Sequence, residues 1–471
     1  MILQIFRFLS ILLEVVVLFN LLIIVHELGH FLAAKWRGLV IEKFGVWFGK
    51  PIWKKNVNGI EYSLGSLPFG GFVALPQLAP MDIIEGKVDV DRERLPRISA
   101  LDKIIVAIAG PLFSLLLALT FACIVWAVGH PVSESDTTTI VGYVPPESPA
   151  LKAGIESGDK ILEVDGKPVH RFSGMNDSVV WNVVRSEGAT IPVKVERNGA
   201  VLDFAVEPYK AETRGWRRKS VRQIMIMPAQ TAIIDEVQPE TPAAAAGLKK
   251  GDVVVSVNGT NIYNPVAVID LVEKNGEQPL ALQISRGGSP VDVSIQPKII
   301  SAEEKTPRLG IKFDRDGRMS VDHPGPVEQV YDSITSTLNT ITAVASPKSD
   351  VKLQHLSGPV GIGRIYYLLF QSDKGWQLAL WFSVILNVNL AILNMLPIPV
   401  LDGGHIVLAI IESIRRKPVN IRVLEFVQTA CAFLIIGYMV YVSFFDIGDL
   451  FGRDNDEPTR TRARASATPA P

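Results

Sequence analysis

Four long apolar segments constrain this chain more than any other feature of its sequence. They run from about Ile5 to Trp36, from Ile104 to Gly129, from Trp376 to Leu396 and from Val423 to Phe445. Each reaches the roughly 20 residues that an α-helix needs to cross the hydrocarbon core of a bilayer. The mean hydropathy of the whole chain, +0.26, is also high for a soluble protein. We therefore predict a membrane protein with four transmembrane helices.

The first apolar segment contains an H-E-x-x-H motif, His26-Glu27-Leu28-Gly29-His30. Positions i and i+4 of a helix lie on one face, so the two imidazoles can bind a single zinc ion. The Glu27 carboxylate can then take a proton from a metal-bound water. The alternative is a pair of histidines satisfied by hydrogen bonds at a helix end. The cost of polar groups inside a bilayer favours the metal site, and a motif in this position argues against a cleaved signal peptide.

A third zinc ligand is expected, because a catalytic zinc commonly has three protein ligands and one position open for water. The candidate is Asp402, in the segment Asn394-Met-Leu-Pro-Ile-Pro-Val-Leu-Asp402-Gly-Gly404. Taken alone, an Asp-Gly-Gly sequence more often forms a turn that ends a helix. Asp402 follows an apolar segment, however, and two prolines interrupt the helix just before it. These two features favour the ligand.

The hydrophilic middle of the chain contains an internal repeat, in which Ser148–Gly166 aligns with Thr241–Gly259. Each copy predicts a short helix capped by Ser148 or Thr241, then a Gly-Asp turn, a β-strand and an Asp-Gly or Asn-Gly hairpin. The pattern resembles PDZ domains of the bacterial protease type, which bind extended peptides by adding a strand to a sheet edge. Two domains that only fold and fill space are the alternative.

A glycine-rich, aromatic stretch lies between the first and second apolar segments. Residues Phe44–Pro51 and Ile60–Leu75 are prone to form β-strands, and the turn Asn56–Gly59 lies between them. We predict a β-hairpin. Beside a membrane active site, such backbone is tolerated only where it faces protein or water, so we expect a re-entrant β-loop. An interfacial hairpin on the cytoplasmic face is the alternative.

The distribution of basic residues predicts the orientation in the membrane. Lysines and arginines are concentrated between the first and second apolar segments and again between the third and fourth. Both loops are therefore expected to be cytoplasmic, with residues 130–375 and both termini on the outer side. The net charge of -1 argues against a nucleic-acid partner. Both cysteines, Cys123 and Cys431, fall in apolar segments, so disulfides give no information on the compartment.

The expected architecture is a multi-domain membrane protein. It has a four-helix transmembrane core with a re-entrant β-hairpin, and two tandem β-rich PDZ-like domains outside the membrane. The transmembrane helices are placed at residues 1–37, 102–129, 376–403 and 422–446, the β-loop and linker at 38–101, the PDZ-like domains at 130–212 and 213–300, and a cytoplasmic loop at 404–421. Residues 301–375 are expected to carry an amphipathic periplasmic helix from Pro324 to Ser346, and residues 447–471 a disordered tail.

Taken together, these motifs resemble the site-2 protease family of intramembrane zinc metalloproteases. The resemblance rests on the H-E-x-x-H motif, the N-x-x-P-x-x-x-L-D-G sequence of residues 394–403 and the PDZ-like repeat between them. The four-helix layout, with Asp350–Val360 and Asn387–Asn389, is similar to the regulator-of-sigma-E branch of that family in Gram-negative bacteria. The resemblance implies that the zinc ligands are His26, His30 and Asp402, that the general base is Glu27, and that the substrate-binding residues are Asn394, Asn389, Gly70 and Gly71.

The resemblance also implies an activity. The protein would hydrolyse single-span membrane proteins within the inner membrane, near the cytoplasmic leaflet, with zinc as its cofactor. The implied substrates are an anti-sigma factor trimmed by a first protease in envelope-stress signalling, and remnant signal peptides. The PDZ-like domains would gate access or bind peptides. A metal-ion transporter and a membrane-anchored PDZ scaffold are the alternatives. One departure from the family pattern, Ser114 in place of the usual asparagine, leaves the packing of the second helix open.

Overall fold

The structure, a computed structural model, describes residues 2–78, 95–96, 98–213, 217–300, 306–372, 374–417 and 419–451. Within those residues the α-helices are α1 Ile2–Arg37, α2 Ala100–Val128, α3 Glu134–Thr137, α4 Pro149–Ala153, α5 Val179–Arg185, α6 Pro242–Ala245, α7 Pro265–Asn275, α8 Pro326–Ala345, α9 Pro359–Phe370, α10 Gly375–Asn394, α11 Asp402–Arg415 and α12 Ile421–Phe451. A 3-10 turn covers Leu353–His355. Helix α12 continues beyond the expected end at residue 446, and the rest of the expected tail, 452–471, lies outside the described residues.

The β-strands of the same described residues are short. They are β1 Lys43–Phe48, β2 Trp53–Val57, β3 Ile60–Leu64, β4 Leu67–Ala74, β5 His130–Ser133, β6 Val141–Tyr143, β7 Lys160–Val164, β8 Lys167–Pro168, β9 Ile191–Arg197, β10 Ala200–Val206, β11 Met227–Pro228, β12 Ala232–Val237, β13 Val253–Val257, β14 Thr260–Asn261, β15 Leu280–Arg286, β16 Ser289–Ile295, β17 Ile311–Phe313 and β18 Met319–Asp322. Contacts divide the chain into two compact units. The first holds residues 1–130, 323–338 and 354–453, and the second holds residues 131–322 and 339–353.

The helices of the first unit include those predicted to be transmembrane. Among the described residues, four helices are long and apolar enough to cross a membrane: α1, α2, α10 and α12. Helix α2 starts with a capping box, in which Ser99 and Asp102 satisfy each other's backbone N–H groups. It packs against both α1 and α10, and the buried residues Leu22, Phe121 and Val384 lie in the apolar cluster between these three helices. The prediction of four apolar spans is confirmed.

A helix follows α10 where a loop was expected. Helix α10 ends at Asn394, because Pro397 and Pro399 cannot continue it. Asp402 then begins α11, which continues through most of the expected cytoplasmic loop at residues 404–421. The start of α11 is tightly packed, since a Cβ atom on Gly404 would lie 2.2 Å from the carbonyl oxygen of Ile398. The segment expected as a cytoplasmic loop therefore contains a helix, and the Asp-Gly-Gly sequence, for which a helix-ending turn was the alternative to a ligand role, forms the first turn of that helix.

Strands β1 to β4 form one sheet instead of a single hairpin. The strand order is β2-β3-β1-β4, with β4 at an edge among the described strands. The turn Asn56–Gly59 joins β3 to β2, a strand outside the two stretches that were predicted to form the hairpin, and β1 pairs with β4 in antiparallel register. Strand β1 also pairs with β3 in parallel, which was not predicted. Gly70 in β4 has a φ of +87°, and a Cβ atom there would lie 1.9 Å from the Phe48 ring, so β4 needs glycine at this position.

The second unit contains two β-rich domains that carry the sequence repeat. The first domain has a sheet in the order β10-β9-β7-β8 and the pair β11-β6, and the second has the order β16-β15-β13-β12-β17 with β14 beside β13. Each has its own apolar core. Ser148 caps α4 by accepting a hydrogen bond from Leu151 N–H, as predicted. The Thr241 hydroxyl makes no such bond to α6 and donates to the carbonyl of Gln238.

The predicted amphipathic helix is present as α8, within the range expected for it. In the first unit, Gln329 of α8 donates from Nε2 to the carbonyl oxygen of Ala122 in α2. In the second unit, Ala343 near the end of α8 packs with Trp181 and Val351. Helix α9, a second helix in the expected amphipathic segment, was not predicted. Its sequence contains Gly361 and Gly363 and lacks the polar face that marks an amphipathic helix.

Candidate metal centre and active site

Two imidazoles from one turn of α1 meet inside the first unit. His26 and His30 are 6% and 8% exposed, and their Nε2 atoms are 3.3 Å apart. The helix brings them together because residues i and i+4 share one face. Helices α1 and α2 can pack this closely only with glycine at position 110, because a Cβ atom there would lie 2.2 Å from His30 Nε2.

Asp402 completes the cluster from the other end of the chain. Its Oδ2 lies 3.3 Å from His26 Nε2, and its Oδ1 lies 3.3 Å from His30 Nε2. The first residue of α11 therefore faces the H-E-x-x-H motif of α1. Among the described residues, these three form the one group of histidine, cysteine and acidic side chains whose ligand atoms lie within 4.8 Å of one another.

The donor atoms fit a small tetrahedral cation. In a tetrahedral site with zinc bonds of about 2.0–2.1 Å, neighbouring ligand atoms lie about 3.3–3.4 Å apart. The distances between the three side chains match that spacing. His30 Nδ1 lies 2.8 Å from the carbonyl oxygen of Val106, which can only accept, so Nδ1 carries the proton of the neutral ring. Nε2 of this neutral ring would then offer its lone pair to a cation held between it and the Asp402 carboxylate.

Ser114, the departure from the family pattern, supports the first imidazole. Its side chain is fully buried, and its hydroxyl oxygen lies 3.0 Å from His26 Nδ1. A partner on Nδ1 fixes the ring orientation and leaves Nε2 directed at the centre of the cluster. The sequence showed only that this position was unusual. It gave no signal that Ser114 and the Val106 carbonyl hold the two rings, because both contacts come from a different helix.

Glu27 lies with the cluster in the wall of a cavity of about 250 Å³. The backbone of Val73 in β4 hydrogen-bonds to its carboxylate. The cavity is lined by Ile23, His26, Glu27, His30, Gly71, Phe72, Val73, Leu75, Leu78, Leu390, Asn394, Val400, Leu401, Asp402 and His405. A carboxylate, a three-ligand cation site and an apolar pocket are the parts that metal-assisted hydrolysis of an apolar peptide needs.

The candidate substrate-binding residues are not all in this cavity. Asn394 lines it, with Nδ2 3.4 Å from His26 Nε2, and Gly71 lines it from β4. A Cβ atom on Gly71 would lie 3.4 Å from Glu27 Cγ. Gly70 does not line the cavity. It allows the backbone of β4 to adopt a positive φ at this position. Asn389 is also absent from the cavity wall, and its Oδ1 accepts a hydrogen bond from the Thr337 hydroxyl of α8.

His405, which the sequence did not single out, lies one turn after Asp402 in α11. It is buried, lines the cavity, and has no partner for Nδ1 among the described residues. A histidine at position i+3 from the expected ligand was the signal that was missed.

Comparison with known proteins identifies the family. The model of peptidase family M50 matches residues 14–438, a range that includes the two histidines, Glu27, Asn394 and Asp402. The chain belongs to peptidase family M50, the site-2 protease family. It is therefore a peptidase, and the resemblance read from the motifs is confirmed.

Curated relatives in this family match along nearly their whole length. "Protease RseP" of Yersinia pestis is 28% identical over 462 residues, which cover 92% of this chain and 98% of the relative. "Regulator of sigma-E protease RseP" of Escherichia coli (strain K12) is 28% identical over 458 residues, with the same coverage of 92% and 98%. Among solved structures, the PDZ domain of an SdrC-like protein from Listeria monocytogenes is 20% identical and covers 18% of this chain and 90% of its own, with a TM-score of 0.17.

Proposed function

We propose that this M50 peptidase is a zinc metalloprotease that cuts single-span membrane proteins within the bilayer. The observation that carries the proposal is the cluster of His26, His30 and Asp402 beside Glu27 in an apolar cavity. The two Nε2 atoms lie 3.3 Å apart, and each lies 3.3 Å from one of the two Asp402 carboxylate oxygens. These three residues would hold the zinc. A bound zinc supplies a water with a pKa near 7 and polarises a carbonyl group.

The chain's own residues can perform the remaining steps of hydrolysis. The Glu27 carboxylate would take the proton of the attacking water and pass it to the nitrogen of the leaving amine. Asn394 Nδ2, in the same cavity wall, would donate to the scissile carbonyl oxygen and hold the substrate in place. Apolar walls, among them Ile23, Leu75 and Leu390, exclude bulk water from the reacting atoms.

A peptide bond in a transmembrane helix is shielded by the hydrogen bonds of that helix, so the substrate must unwind before it is cut. Strand β4 would replace the lost bonds, because it lies at a sheet edge and contributes Gly71, Phe72 and Val73 to the cavity wall. The unwound segment would add to β4 as a further strand. We accordingly propose that β1 to β4 form a re-entrant loop. Gly71 is the substrate contact in this arrangement, and Gly70 shapes the strand.

The two β-rich domains are proposed to be tandem PDZ domains on the outer side. The repeat supports this, and so does the position of β17 at the edge of the second domain's sheet, where an extended peptide can add. They would gate access to the membrane site or bind peptide ligands. The proposed location is the inner membrane of a Gram-negative bacterium, with the active site near the cytoplasmic leaflet. The relatives named for sigma-E regulation support a trimmed anti-sigma factor as substrate, with remnant signal peptides as a second class.

Replacement of Glu27 by glutamine tests the proposed function. We expect Glu27→Gln to lower kcat for a reporter helix by roughly 10²- to 10⁴-fold, since removing a general base commonly has an effect of that size. Zinc content, measured by atomic emission on purified protein in detergent, should stay near one per chain. Glu14→Gln is the matched control, because Glu14 is an exposed carboxylate on the same helix. Full cleavage by Glu27→Gln would rule out Glu27 as the general base, whereas a parent protein that cleaves nothing would favour a scaffold or an ion transporter.

A further inference from the structure

A buried amide stands in the middle of the apolar helix α1. Asn20 lies less than two turns before His26 and is 6% exposed. An amide at this depth is costly in a membrane helix unless its polar atoms find partners. Asn20 is not part of the H-E-x-x-H motif and does not line the cavity. Its function must therefore come from what it contacts.

The Asn20 side chain links α1 to the edge strand β4. Nδ2 donates to the carbonyl oxygen of Val16, one turn earlier in the same helix, at 2.7 Å. It also donates to the carbonyl oxygen of Pro68 in β4, at 2.9 Å. The first bond is local to α1, and a hydroxyl side chain could replace it. The second bond joins two elements that are distant in sequence and fixes the first half of β4.

Two further contacts join the same face of α1 to the second half of β4. Ile23 and Glu27 lie three and seven positions after Asn20, so the three side chains share one helix face. A Cβ atom on Gly71 would lie 3.4 Å from Ile23 Cγ2, and the backbone of Val73 hydrogen-bonds to the Glu27 carboxylate. Strand β4 is thus held against α1 at the catalytic end by Glu27 and at the opposite end by Asn20.

The oxygen of the Asn20 amide is buried at a cost in free energy. Asn20 Oδ1 is buried and has no hydrogen-bond partner among the described residues. A leucine has a similar shape and would avoid burying this oxygen. Burying this unpaired oxygen is a cost for α1, and of the two bonds that leucine could not make, only the one to Pro68 reaches another element.

We propose that Asn20 is a positioning residue that holds the edge strand β4 in register for substrate. The inference rests on the proposed function, in which an unwound substrate segment adds to β4. By fixing the Pro68 carbonyl, Asn20 would keep Gly71 to Val73 at the cavity wall, beside Glu27 and the metal ligands. Loss of the bond would let the first half of β4 move away from α1 while the metal site stays intact.

Two variants separate the local bond from the bond to β4. Asn20→Thr keeps a donor for the Val16 carbonyl but cannot reach Pro68, and Asn20→Leu removes both bonds. Thr120→Val is the matched control, because the Thr120 hydroxyl in α2 donates only to the carbonyl one turn earlier, that of Leu116. Each variant is made in the full chain with Cys123 and Cys431 replaced by alanine, and zinc content is measured for each.

Strand mobility is measured by electron paramagnetic resonance of a nitroxide at Leu67→Cys, next to Pro68. A second label at Val57→Cys is the reference, because β2 lies at the opposite edge of the sheet from β4. We expect both Asn20 variants to increase the mobility of the label at position 67 and to leave that at position 57 unchanged. The KM for a reporter helix should rise roughly tenfold, with a smaller change in kcat, because substrate pairing is impaired and the chemical groups are not.

Several results would overturn the proposal. Unchanged mobility of the label at position 67 would do so, and so would an unchanged KM. A loss of zinc, or an equal increase in mobility at both labels, would also overturn it, because either result indicates a general structural role. The label measurement needs no catalysis. If the parent protein cleaves nothing, the proposed function fails while the contact between Asn20 and β4 is still tested.

Discussion

The Gly-Asp turn of each repeat is explained by one buried carboxylate. In the second β-rich domain, Asp252 receives two hydrogen bonds from Arg286, from Nε at 2.8 Å and from Nη2 at 2.7 Å. In the first domain, Asp159 is held by Arg197 in the same way, at 2.6 Å and 2.7 Å. Each arginine also donates to the carbonyl oxygen of a glycine that follows the preceding short helix, Gly154 or Gly247. Both copies of the repeat therefore contain a bidentate ion pair between the aspartate of the Gly-Asp turn and an arginine of the same domain.

The ion pair predicts how the second domain responds to acid. The hydrogen bond from Arg286 holds the pKa of Asp252 below its usual range, although burial raises it. Because the folded-state pKa lies below the unfolded value of about 3.9, the pair stabilises the domain above that pH and loses its effect as the pH falls through the folded-state pKa. Asp252→Asn should therefore lower stability at pH 7 and flatten its loss in acid.

The measurement is hydrogen exchange of the β15 amides in the full chain, corrected for the intrinsic exchange rate at each pH. Asp235→Asn is the control, because Asp235 pairs with Lys250 at the surface of the same domain, where both side chains are at least half exposed. Equal effects of the two substitutions would contradict a special role for the buried carboxylate.

At this scale, the H-E-x-x-H spacing indicated that His26 and His30 meet, and the position of Asp402 after an apolar segment interrupted by prolines indicated the third member of the cluster. The same spacing could not show Ser114 or Asn20. Their contacts depend on how helices and strands pack, although an asparagine within an apolar segment was a signal that the sequence offered for Asn20.

The N-terminus of helix α9 is capped by a residue of another helix. Gly358 precedes α9 and offers no side-chain cap, so the N–H groups of its first turn need an external partner. Asp446 of α12 supplies it, because its Oδ2 accepts from Gly358 N–H and Gly361 N–H, both at 2.9 Å. A Cβ atom on Gly361 would lie 2.7 Å from Asp446 Oδ1, so glycine is needed there for the carboxylate to approach.

Removing this cap should loosen α9. We expect Asp446→Ala to lower the free energy of unfolding by about 1–3 kcal/mol, the usual effect of leaving buried donors unsatisfied. Asp446→Asn keeps an accepting oxygen and should cost less. Thermal unfolding of the purified protein in detergent gives the comparison. The assignment of Asp446 as the cap fails if alanine and asparagine variants unfold at the parent temperature.

Elements with strong local signals were predictable, and those set by distant contacts were not. The apolar spans α1, α2, α10 and α12 follow from length and hydropathy. The parallel pairing of β1 with β3 and the helices α9 and α11 do not. Strand pairing depends on contacts between separated segments, and α9 and α11 begin at glycines and prolines that also suit turns.

The match to the protein family covers both the apolar unit and the β-rich unit of the chain. The match to family M50 extends over residues 14–438, so it includes the β-rich domains as well as the helices. The relatives from Yersinia pestis and Escherichia coli are matched over 98% of their length. The β-rich domains are therefore part of the shared architecture and not an insertion peculiar to this chain.

Cysteine labelling tests the proposed orientation of the chain in the membrane. In a cysteine-free background, Asn198→Cys, in the turn between β9 and β10, should react with a membrane-impermeant maleimide in intact spheroplasts. Lys55→Cys, in the exposed strand β2, should react only after lysis. The reason is that the basic loops are expected to stay in the cytoplasm. Reaction in the opposite order would reverse the orientation.

The wide separation of the cation ligands along the chain has a consequence for biosynthesis. A ribosome makes His26 and His30 early, whereas Asp402 comes after both β-rich domains have been translated. The nascent polypeptide therefore contains an incomplete hydrolytic centre during most of its synthesis. Under the proposed function, the protein could not cleave its neighbours at the insertion machinery before translation reaches Asp402, the third proposed ligand.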